Sequence, residues 1–395
     1  MKALICHNYY KTTSGEDLVI AEDIQILRSG GIDVKTFSRS NKEIDKFTMS
    51  DRVLFLKNTI YSRRSVKELE QVIGDERPDV AIVQNVFPLI SPSVYYVFNR
   101  LNVPVVQLVY NYRLVCPNAI LYTEGAVCER CVKGNFFPAV RHRCFRESYS
   151  LSAVYAATLA FHRHIGGLSR RISAYVTPDR FLGGKLVEGG FPSERIFPIF
   201  NPFDVTKYSP RMLEGEYFLY FGRIVREKGI FTLLKAMELL PNFRLVVVGG
   251  GSAEGEARQY VSIAGLRNVE FAGPQYGKDL EKIMDSACAV VVPTEWYDNS
   301  PLVVHQAFAL GKPVIASRID GIPEIVADGF EGMLFTPGDV RDLVEKMRSL
   351  GTDKDLCRRL GAAARRKAEE HFTVQKRFAE LSKVMEFAQN NPVRV

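Results

Sequence analysis

Short continuous apolar runs, each followed by a helix-length segment, recur along this chain, and the rhythm starts afresh near its middle. In the first half Lys2 to Cys6, Asp33 to Phe37, 79–84 (DVAIVQ) and 103–109 (VPVVQLV) read as strands. The last two are apolar throughout rather than alternating, as parallel strands covered on both faces should be. A polar loop containing Ser14-Gly15-Glu16 leads to a helix expected from about Asp17 to Arg28, ended by Gly30-Gly31. After Asn201-Pro202-Phe203, a hinge candidate, strands are expected at 217–221, 244–249, 269–271, 288–292 and 313–316. Helices are expected at about 229–240, 278–286, 301–310, 322–327 and 339–349. This β-α-β rhythm builds parallel sheets with helices on both faces. A length of 395 residues suits two such cores better than one. The expected class is α/β, with doubly wound parallel-sheet domains. An N-terminal domain spans 1–200 with a Cys-rich insertion at 116–144, and a C-terminal domain spans 201–372. The amphipathic segment 373–395 (Phe378, Leu381, Val384, Met385, Phe387) is expected to form a last helix that crosses back onto the first domain.

The run Ala3 to Cys6 is too short for a signal-peptide core, and no apolar run reaches the roughly 20 residues of a membrane span. Seven cysteines, an odd number scattered through a long chain, argue against a disulfide framework and for a reducing compartment. The expected location is the cytoplasm. The net charge of +7 is uneven: residues 1–200 carry 26 Lys/Arg against 19 Asp/Glu, residues 201–395 carry 26 against 26, and 101–200 alone carry 12 against 6. That concentration suggests either an anionic partner, such as a phosphorylated acceptor or an acidic membrane surface, or a well-solvated basic face. No nucleic-acid-binding motif accompanies it, so no nucleic acid partner is expected.

Two segments of the second half carry chemistry. In 221–229, FGRIVREKG, a strand ends at Phe221, Gly222 permits a tight backbone, and Arg223 and Lys228 flank the loop that follows. Arg223 suits bidentate contact with phosphate, and Lys228 serves as a mobile point charge. In 293–317, PTEWYDNSPLVVHQAFALGKPVIAS, an acidic polar turn precedes a helix starting near Pro301. The amides around Asn299, Ser300, Pro301 and Leu302 would then sit at a helix N-terminus, which attracts anions. Asp298 can accept hydrogen bonds from sugar hydroxyls, and Gln306, one turn along, can reach a ribose.

Together with Gly249-Gly250-Gly251 after a strand and Gly321-Ile322-Pro323-Glu324, these segments resemble glycosyltransferase family 4, retaining enzymes of the GT-B fold. In that fold two Rossmann-like doubly wound parallel-sheet domains face an interdomain cleft. The resemblance covers the C-terminal half. The N-terminal half matches more loosely, through Gly15-Glu16, PDVAIVQN at 78–85 and YNYRLVCP at 110–117. It implies a catalytic set of Arg223, Lys228 and Asp298, and donor contacts from Gly15, Gly222, Gly250, Asn299, Ser300, Pro301, Leu302 and Gln306. Tyr110, Asn111 and Arg113 are the acceptor-side candidates. The implied substrates are a nucleotide-sugar donor and a saccharide or lipid-linked acceptor, the latter a candidate anion at the inner membrane surface. The implied setting is cell-envelope polysaccharide or glycolipid biosynthesis, with the enzyme cytoplasmic or peripheral at the membrane. The chain departs from the family where a Glu, seven residues and a second Glu are usual: Asp298 and Gln306 stand there. An offset through Glu295 has the wrong spacing. Tyr110 stands where many relatives have a His. No protein nucleophile and no cofactor is expected to be required for catalysis. Rival readings are a non-catalytic nucleotide-sugar-binding or assembly protein, and a nucleotide-sugar epimerase of the same fold.

Cys116, Cys128, Cys131 and Cys144 follow the pattern C-x11-C-x2-C-x12-C, which reads as a structural zinc candidate or as four unmetallated thiols in an insertion. Arg141, Arg143, Arg146, Arg163, Arg170 and Arg171 surround an apolar stretch at 151–161, either a membrane-surface helix or a core helix with basic ends. His7, His142, His162 and His164 show no catalytic spacing, and His305 is expected to point away from Gln306. Asp353-Lys354-Asp355 reads as helix-capping sequence rather than a metal clamp.

Overall fold

The computed structural model describes residues 1–210 and 215–393, apart from the side chains of residues 49, 50, 52 and 53. The chain divides into two compact units. Unit 1 comprises Met1–Thr123, Cys128–Pro202 and Val374–Val395, and unit 2 comprises Glu124–Val127 and Phe203–Thr373.

Unit 1 is built on a six-stranded sheet of β1 (Lys2–Tyr9), β2 (Asp33–Ser40), β3 (Val80–Val83), β4 (Val105–Leu108), β5 (Ala174–Thr177) and β6 (Ile196–Pro198), in the order β2-β1-β3-β4-β5-β6. All its pairings are parallel. Residues 80–83 (VAIV) and 105–108 (VVQL) are buried on both faces, which is why they read as unbroken apolar runs. The helix Gly15–Ser29 starts at a reciprocal cap: the Ser14 side chain accepts from the Asp17 N–H, and Asp17 accepts from the Ser14 N–H.

The C-terminal helix Val374–Asn390 belongs to unit 1. Phe378 lies against Gly30, where any Cβ would collide with its ring, and Phe387 packs on Phe197 at 4.9 Å. Arg377 is fully buried and forks onto Asp23, with Nε at 2.9 Å from Oδ1 and Nη2 at 2.8 Å from Oδ2. Its Nη2 also donates to the Tyr110 hydroxyl.

Unit 2 repeats the plan with β7 (Tyr217–Phe221), β8 (Leu245–Val248), β9 (Val269–Gly273), β10 (Ala287–Val292), β11 (Val314–Ser317) and β12 (Gly332–Phe335), ordered β9-β8-β7-β10-β11-β12 and parallel throughout. Its core joins Phe218, Leu245, Val247 and Ile315 of the sheet to Leu233, Met237, Leu343 and Met347 of the covering helices. Full burial contributes about 1.5–3 kcal/mol for each such side chain. In both sheets the strand order reverses beside the first strand: between β1 and β3 in unit 1, and between β7 and β10 in unit 2. In doubly wound sheets ligands bind outside the carboxyl ends of the strands at this point.

The strands β5, β6 and β12 have no counterpart among the expected ones. Their sequences (AYVT, IFP and GMLF) are short, and each becomes a strand by pairing with a neighbour already in the sheet.

Candidate functional site

At the reversal point of unit 2 the loops after β7, β8 and β10 press backbone against backbone. Gly222 (φ 137°) donates its N–H to Val248 O at 3.0 Å, and Ile224 donates to Gly250 O at 2.9 Å. Gly249 (φ 129°) lies so close to Gly222 O that a Cβ could not be accommodated, and Gly251 is equally confined by the backbone of Ile224. Gly229 (φ 72°) starts the helix Ile230–Glu238 against the carbonyl of Pro293. The link from β7 to β10 is completed by Glu295, whose N–H donates to Glu227 O at 2.9 Å and whose carboxylate accepts from the Thr232 hydroxyl at 2.5 Å. Gly250 itself is more relaxed, since the nearest atom to an added Cβ is a flexible Glu254 side-chain oxygen at 3.3 Å.

These contacts bring the expected catalytic residues to the carboxyl ends of β7 and β10. The Lys228 ammonium donates to Asp298, with only 17% and 13% of the two side chains exposed. Thus cation and carboxylate neutralise each other across the two loops. Arg223 is exposed on the loop after Gly222. The phenol of Tyr220, which donates to Arg223 O at 2.6 Å, reports both charges. Burial pushes its pKa up, the Asp298 carboxylate adds to the rise, and the Arg223 guanidinium opposes it.

Ser300 is buried with φ 40°, a left-handed conformation a non-glycine residue adopts at a cost. Pro301 then precedes the helix Leu302–Ala309, whose start receives no side-chain cap. Uncapped N–H groups at a helix tip present positive charge to whatever lies before them. Leu302, Val303 and Gln306 are partly exposed on this helix, whereas Val304 and His305 face the core. His305 packs on Phe372 and Phe203, and burial lowers its pKa to about 4. It therefore points away from Gln306, as expected, and supplies no acid–base partner for an epimerase.

In unit 1 the remaining candidates also gather outside strand carboxyl ends. Gly15 opens the first helix, and its neighbour Glu16 accepts from Asn111 Nδ2 at 2.9 Å and from the Tyr10 hydroxyl at 3.2 Å. The second Glu16 oxygen is buried without a hydrogen-bond partner, and burial raises the pKa of this carboxyl. Tyr110, Asn111, Arg113, Glu16 and Gln84 line one pocket. Two of the three acceptor-side candidates are committed to structure. The Tyr110 hydroxyl meets Asp23 at 3.4 Å and Arg377. The Arg113 guanidinium donates to Pro117 O at 2.5 Å and lies over Phe87, Phe145 and Tyr155, 5.1–5.7 Å from their centroids. Sequence reasoning missed Glu16 as a wall of this pocket, although it adjoins Gly15. It also missed the Asp23–Arg377 network, whose members are 354 positions apart.

The basic tract is largely spent on aromatic rings. Arg143 lies over Tyr149, Arg146 over Phe145, Arg163 over Phe136 and Phe191, and Arg171 over Tyr96 at 4.4 Å. The stretch 151–161 runs along the helix Tyr149–Ala160 to Phe161, which opens the next turn, and this helix buries Ser152, Tyr155, Ala156, Thr158 and Leu159, the behaviour of a core helix. His162 bridges Tyr96 and Ile60 O, at 2.9 and 2.8 Å. Asp353 caps the helix Lys354–His371 through the Leu356 N–H, as its sequence suggests. Cys116, Cys128, Cys131 and Cys144 line one pocket of unit 1. Burial in the company of the other three thiols pushes Cys131 up to about 12.

Two all-parallel, doubly wound six-stranded sheets define the Rossmann-like GT-B class, and solved structures agree. Anabaena Alr3699/HepE in complex with UDP aligns with a TM-score of 0.69 at 18% identity, covering 98% of this chain and 100% of that one. A glycosyltransferase from Rickettsia africae ESF-5 aligns with a TM-score of 0.71 at 14% identity, covering 99% of each. At such identities the likeness speaks for the fold. More particularly, residues 207–367 match the family described as glycosyl transferases group 1, so unit 2 carries a domain of that kind. Among curated relatives, sulfoquinovosyl transferase SQD2 of Arabidopsis thaliana is 29% identical over 221 residues, 52% of this chain and 42% of that protein. The O-antigen chain mannosyltransferase C of Escherichia coli is 31% identical over 159 residues, 40% of this chain and 43% of that protein. The chain thus spans less than half the length of these relatives.

Proposed function

We propose that this chain is a retaining hexosyltransferase, similar to glycosyltransferase family 4. It would move a sugar from a nucleotide-sugar to a saccharide or lipid-linked acceptor in cell-envelope polysaccharide or glycolipid assembly. The observation that supports this most is the meeting of Lys228 and Asp298 at the reversal point of unit 2, on glycine-locked loops inside a group 1 glycosyl transferase domain. In this reading the donor diphosphate lies outside β7 and β10. Lys228 exchanges its carboxylate partner for phosphate oxygens, Arg223 grips them bidentately, and the amides of 300–302 face them from the helix tip. Negative charge grows on the outer phosphate as the bond from C1 to its oxygen breaks, and these fixed groups stabilise it. The acceptor hydroxyl forms the new bond to C1 on the same face, and its proton passes to the departing phosphate oxygen. Asp298, freed from Lys228, holds the hydroxyls of the donor sugar, and Gln306 holds the ribose. The two cations supply the charge the leaving group needs, so no cofactor is required in this reading.

We place the reaction in the cytoplasm, with the protein peripheral at the membrane where its acceptor is lipid-linked. Among the described residues no helix is long and apolar enough to cross a membrane. Because HepE has been solved with UDP and with UDP-glucose, these are the first donors to try. Binding without turnover is the second reading. It draws on the mutual neutralisation of Lys228 and Asp298 and on the commitment of the Tyr110 hydroxyl to Asp23 and Arg377.

One assay separates the two readings: nucleoside-diphosphate release from a donor panel with and without acceptor glycans, with the product's anomeric configuration read by NMR. Acceptor-dependent release with retention is expected. Arg223→Ala and Lys228→Ala should each lose about 2–4 kcal/mol of transition-state stabilisation. Turnover unchanged in both variants would remove the phosphate site.

A further inference from the structure

The four cysteines of the insertion have no part in the chemistry above, yet the fold carries all of them to one place. Cys116, Cys128, Cys131 and Cys144 line a single small pocket together with His142, Asn118 and Thr123. Two further observations bear on what that pocket holds.

The first is the backbone around the thiols. The Ala119 N–H donates to Cys116 O at 3.0 Å and the Cys128 N–H to Leu121 O at 2.7 Å, so the chain turns tightly after Cys116 and is tied back just before the C-x2-C pair. Directly after Cys128 come two successive turns, Glu129–Val132 and Cys131–Gly134, in which the Val132 N–H donates to Glu129 O at 3.1 Å and the Gly134 N–H to Cys131 O at 2.9 Å, with Gly134 at φ 94°. A chelating C-x2-C knuckle needs this tight path, which turns two side chains towards one point.

The second is how little else holds the segment. Its regular structure amounts to two two-residue strands and the five-residue helix Phe137–Arg141. Of the eleven non-glycine residues with positive φ among the described residues, six lie here: Ala119, Leu121, Glu124, Arg143, Arg146 and Glu147. The local apolar cluster is small, with Cys131, Phe136, Ala139, Ala156 and Leu159 as its buried members. A segment that spends so much on backbone conformation and buries so little needs a staple.

We propose that Cys116, Cys128, Cys131 and Cys144 form a structural zinc site, a tetrathiolate that closes this insertion. Among the described residues no three His, Cys, Asp or Glu side chains stand close enough to hold a metal as they are. Two of the thiols are engaged with neighbouring side chains. Cys116 donates its S–H to Asn118 Oδ1 at 2.8 Å, and Cys144 donates to Thr123 Oγ1 at 3.6 Å. Binding turns these sulphurs inward, releases four protons and forms four Zn–S bonds, leaving a complex of charge −2. Arg130, Lys133, Arg141 and Arg143, which border the cysteines in sequence, offset that charge.

The site would also set the pocket beside it. Cys116 follows Arg113 by three residues, and Cys144 directly precedes Phe145. Phe145 stacks on Tyr155 at 4.0 Å, and both rings flank the Arg113 guanidinium. Pinning Cys116 and Cys144 therefore fixes Arg113 and the cage that holds it, next to the contact between Glu16 and Asn111.

The proposal stands whether or not the chain transfers sugar, and its test reads metal rather than activity. The full chain is produced with zinc in the medium, desalted, and measured for metal by mass spectrometry. A mercurial reagent with a colorimetric zinc indicator then follows release. One zinc per chain is expected, released as the thiols are titrated, with new protease cleavage confined to 116–147. Re-adding thiol and zinc should restore protection, and cobalt substitution should give thiolate charge-transfer bands. Cys128→Ser and Cys131→Ser should lose the metal. Because those variants can also misfold, the wild-type strip-and-restore experiment carries the decision. Substoichiometric zinc that leaves 116–147 equally resistant with and without metal would overturn the site.

Discussion

The two reversal points of this molecule are closed by opposite means. In unit 1 the loops outside β1, β3 and β4 are knitted together by side chains. Asn8 bonds Asn41 at 2.8 Å, Asn85 bonds Asn8 O at 2.8 Å, Gln84 reaches Glu16 O at 3.1 Å, and Asn111 reaches Glu16 Oε1 at 2.9 Å. In unit 2 the loops outside β7, β8 and β10 are knitted by backbone, with Gly222, Gly229, Gly249 and Gly251 allowing the approach. A network of amides consumes most of its own donors, here leaving the Gln84 amide oxygen and the second Glu16 oxygen without partners. Closure by backbone leaves Arg223 exposed and pairs Lys228 with Asp298 across the loops.

The contrast can be broken from either side. The largest effect is expected in unit 1, where Asp23→Ala strands the buried Arg377 guanidinium. Stability should fall by about 3–5 kcal/mol in chemical denaturation, because an uncompensated buried charge remains. In unit 2, Gly229→Ala and Gly249→Ala combine a positive φ with a Cβ driven into a neighbouring carbonyl, and each should cost about 3 kcal/mol or more. Acid sharpens the comparison. His305 has no carboxylate beside it, and its pKa lies near 4 against an ordinary 6.5, so the unfolded chain takes up the proton first. Its contribution is complete above pH 6.5 and lost as pH falls towards 4, about 3 kcal/mol in all. His7 in unit 1 is lowered by burial too, but Asp17 at 2.8 Å opposes the shift. Hence His305→Phe should flatten the acid limb of the stability profile more than His7→Phe does. The smallest effect is expected at Gly250→Ala, at most about 1 kcal/mol, since its neighbour is a flexible side chain.

The same contrast explains what could be read in advance. Parallel strands buried on both faces announce themselves as apolar runs, so β3, β4, β7, β8 and β10 were legible. The glycines of unit 2 were legible because backbone closure demands a particular residue type at particular places. Hydrogen bonds between side chains demand no such spacing. Asn111 and Glu16 are 95 positions apart, and Arg377 and Asp23 are 354 apart, so nothing local marks either pair. Lys228 and Asp298 were singled out individually, but their contact across 70 positions depends on strand order. The basic excess of 101–200 shows the same limit, since charge can be counted in a sequence whereas the ring beneath a guanidinium cannot.

The most direct test is a calorimetric titration of UDP into the wild-type chain and into Lys228→Ala. The variant loses a cation and leaves Asp298 facing the phosphates unpaired. We expect saturable binding in the wild type and at least a tenfold weaker affinity in the variant, about 1.4 kcal/mol. Equal affinity in the two proteins would contradict a diphosphate site at the reversal point of unit 2.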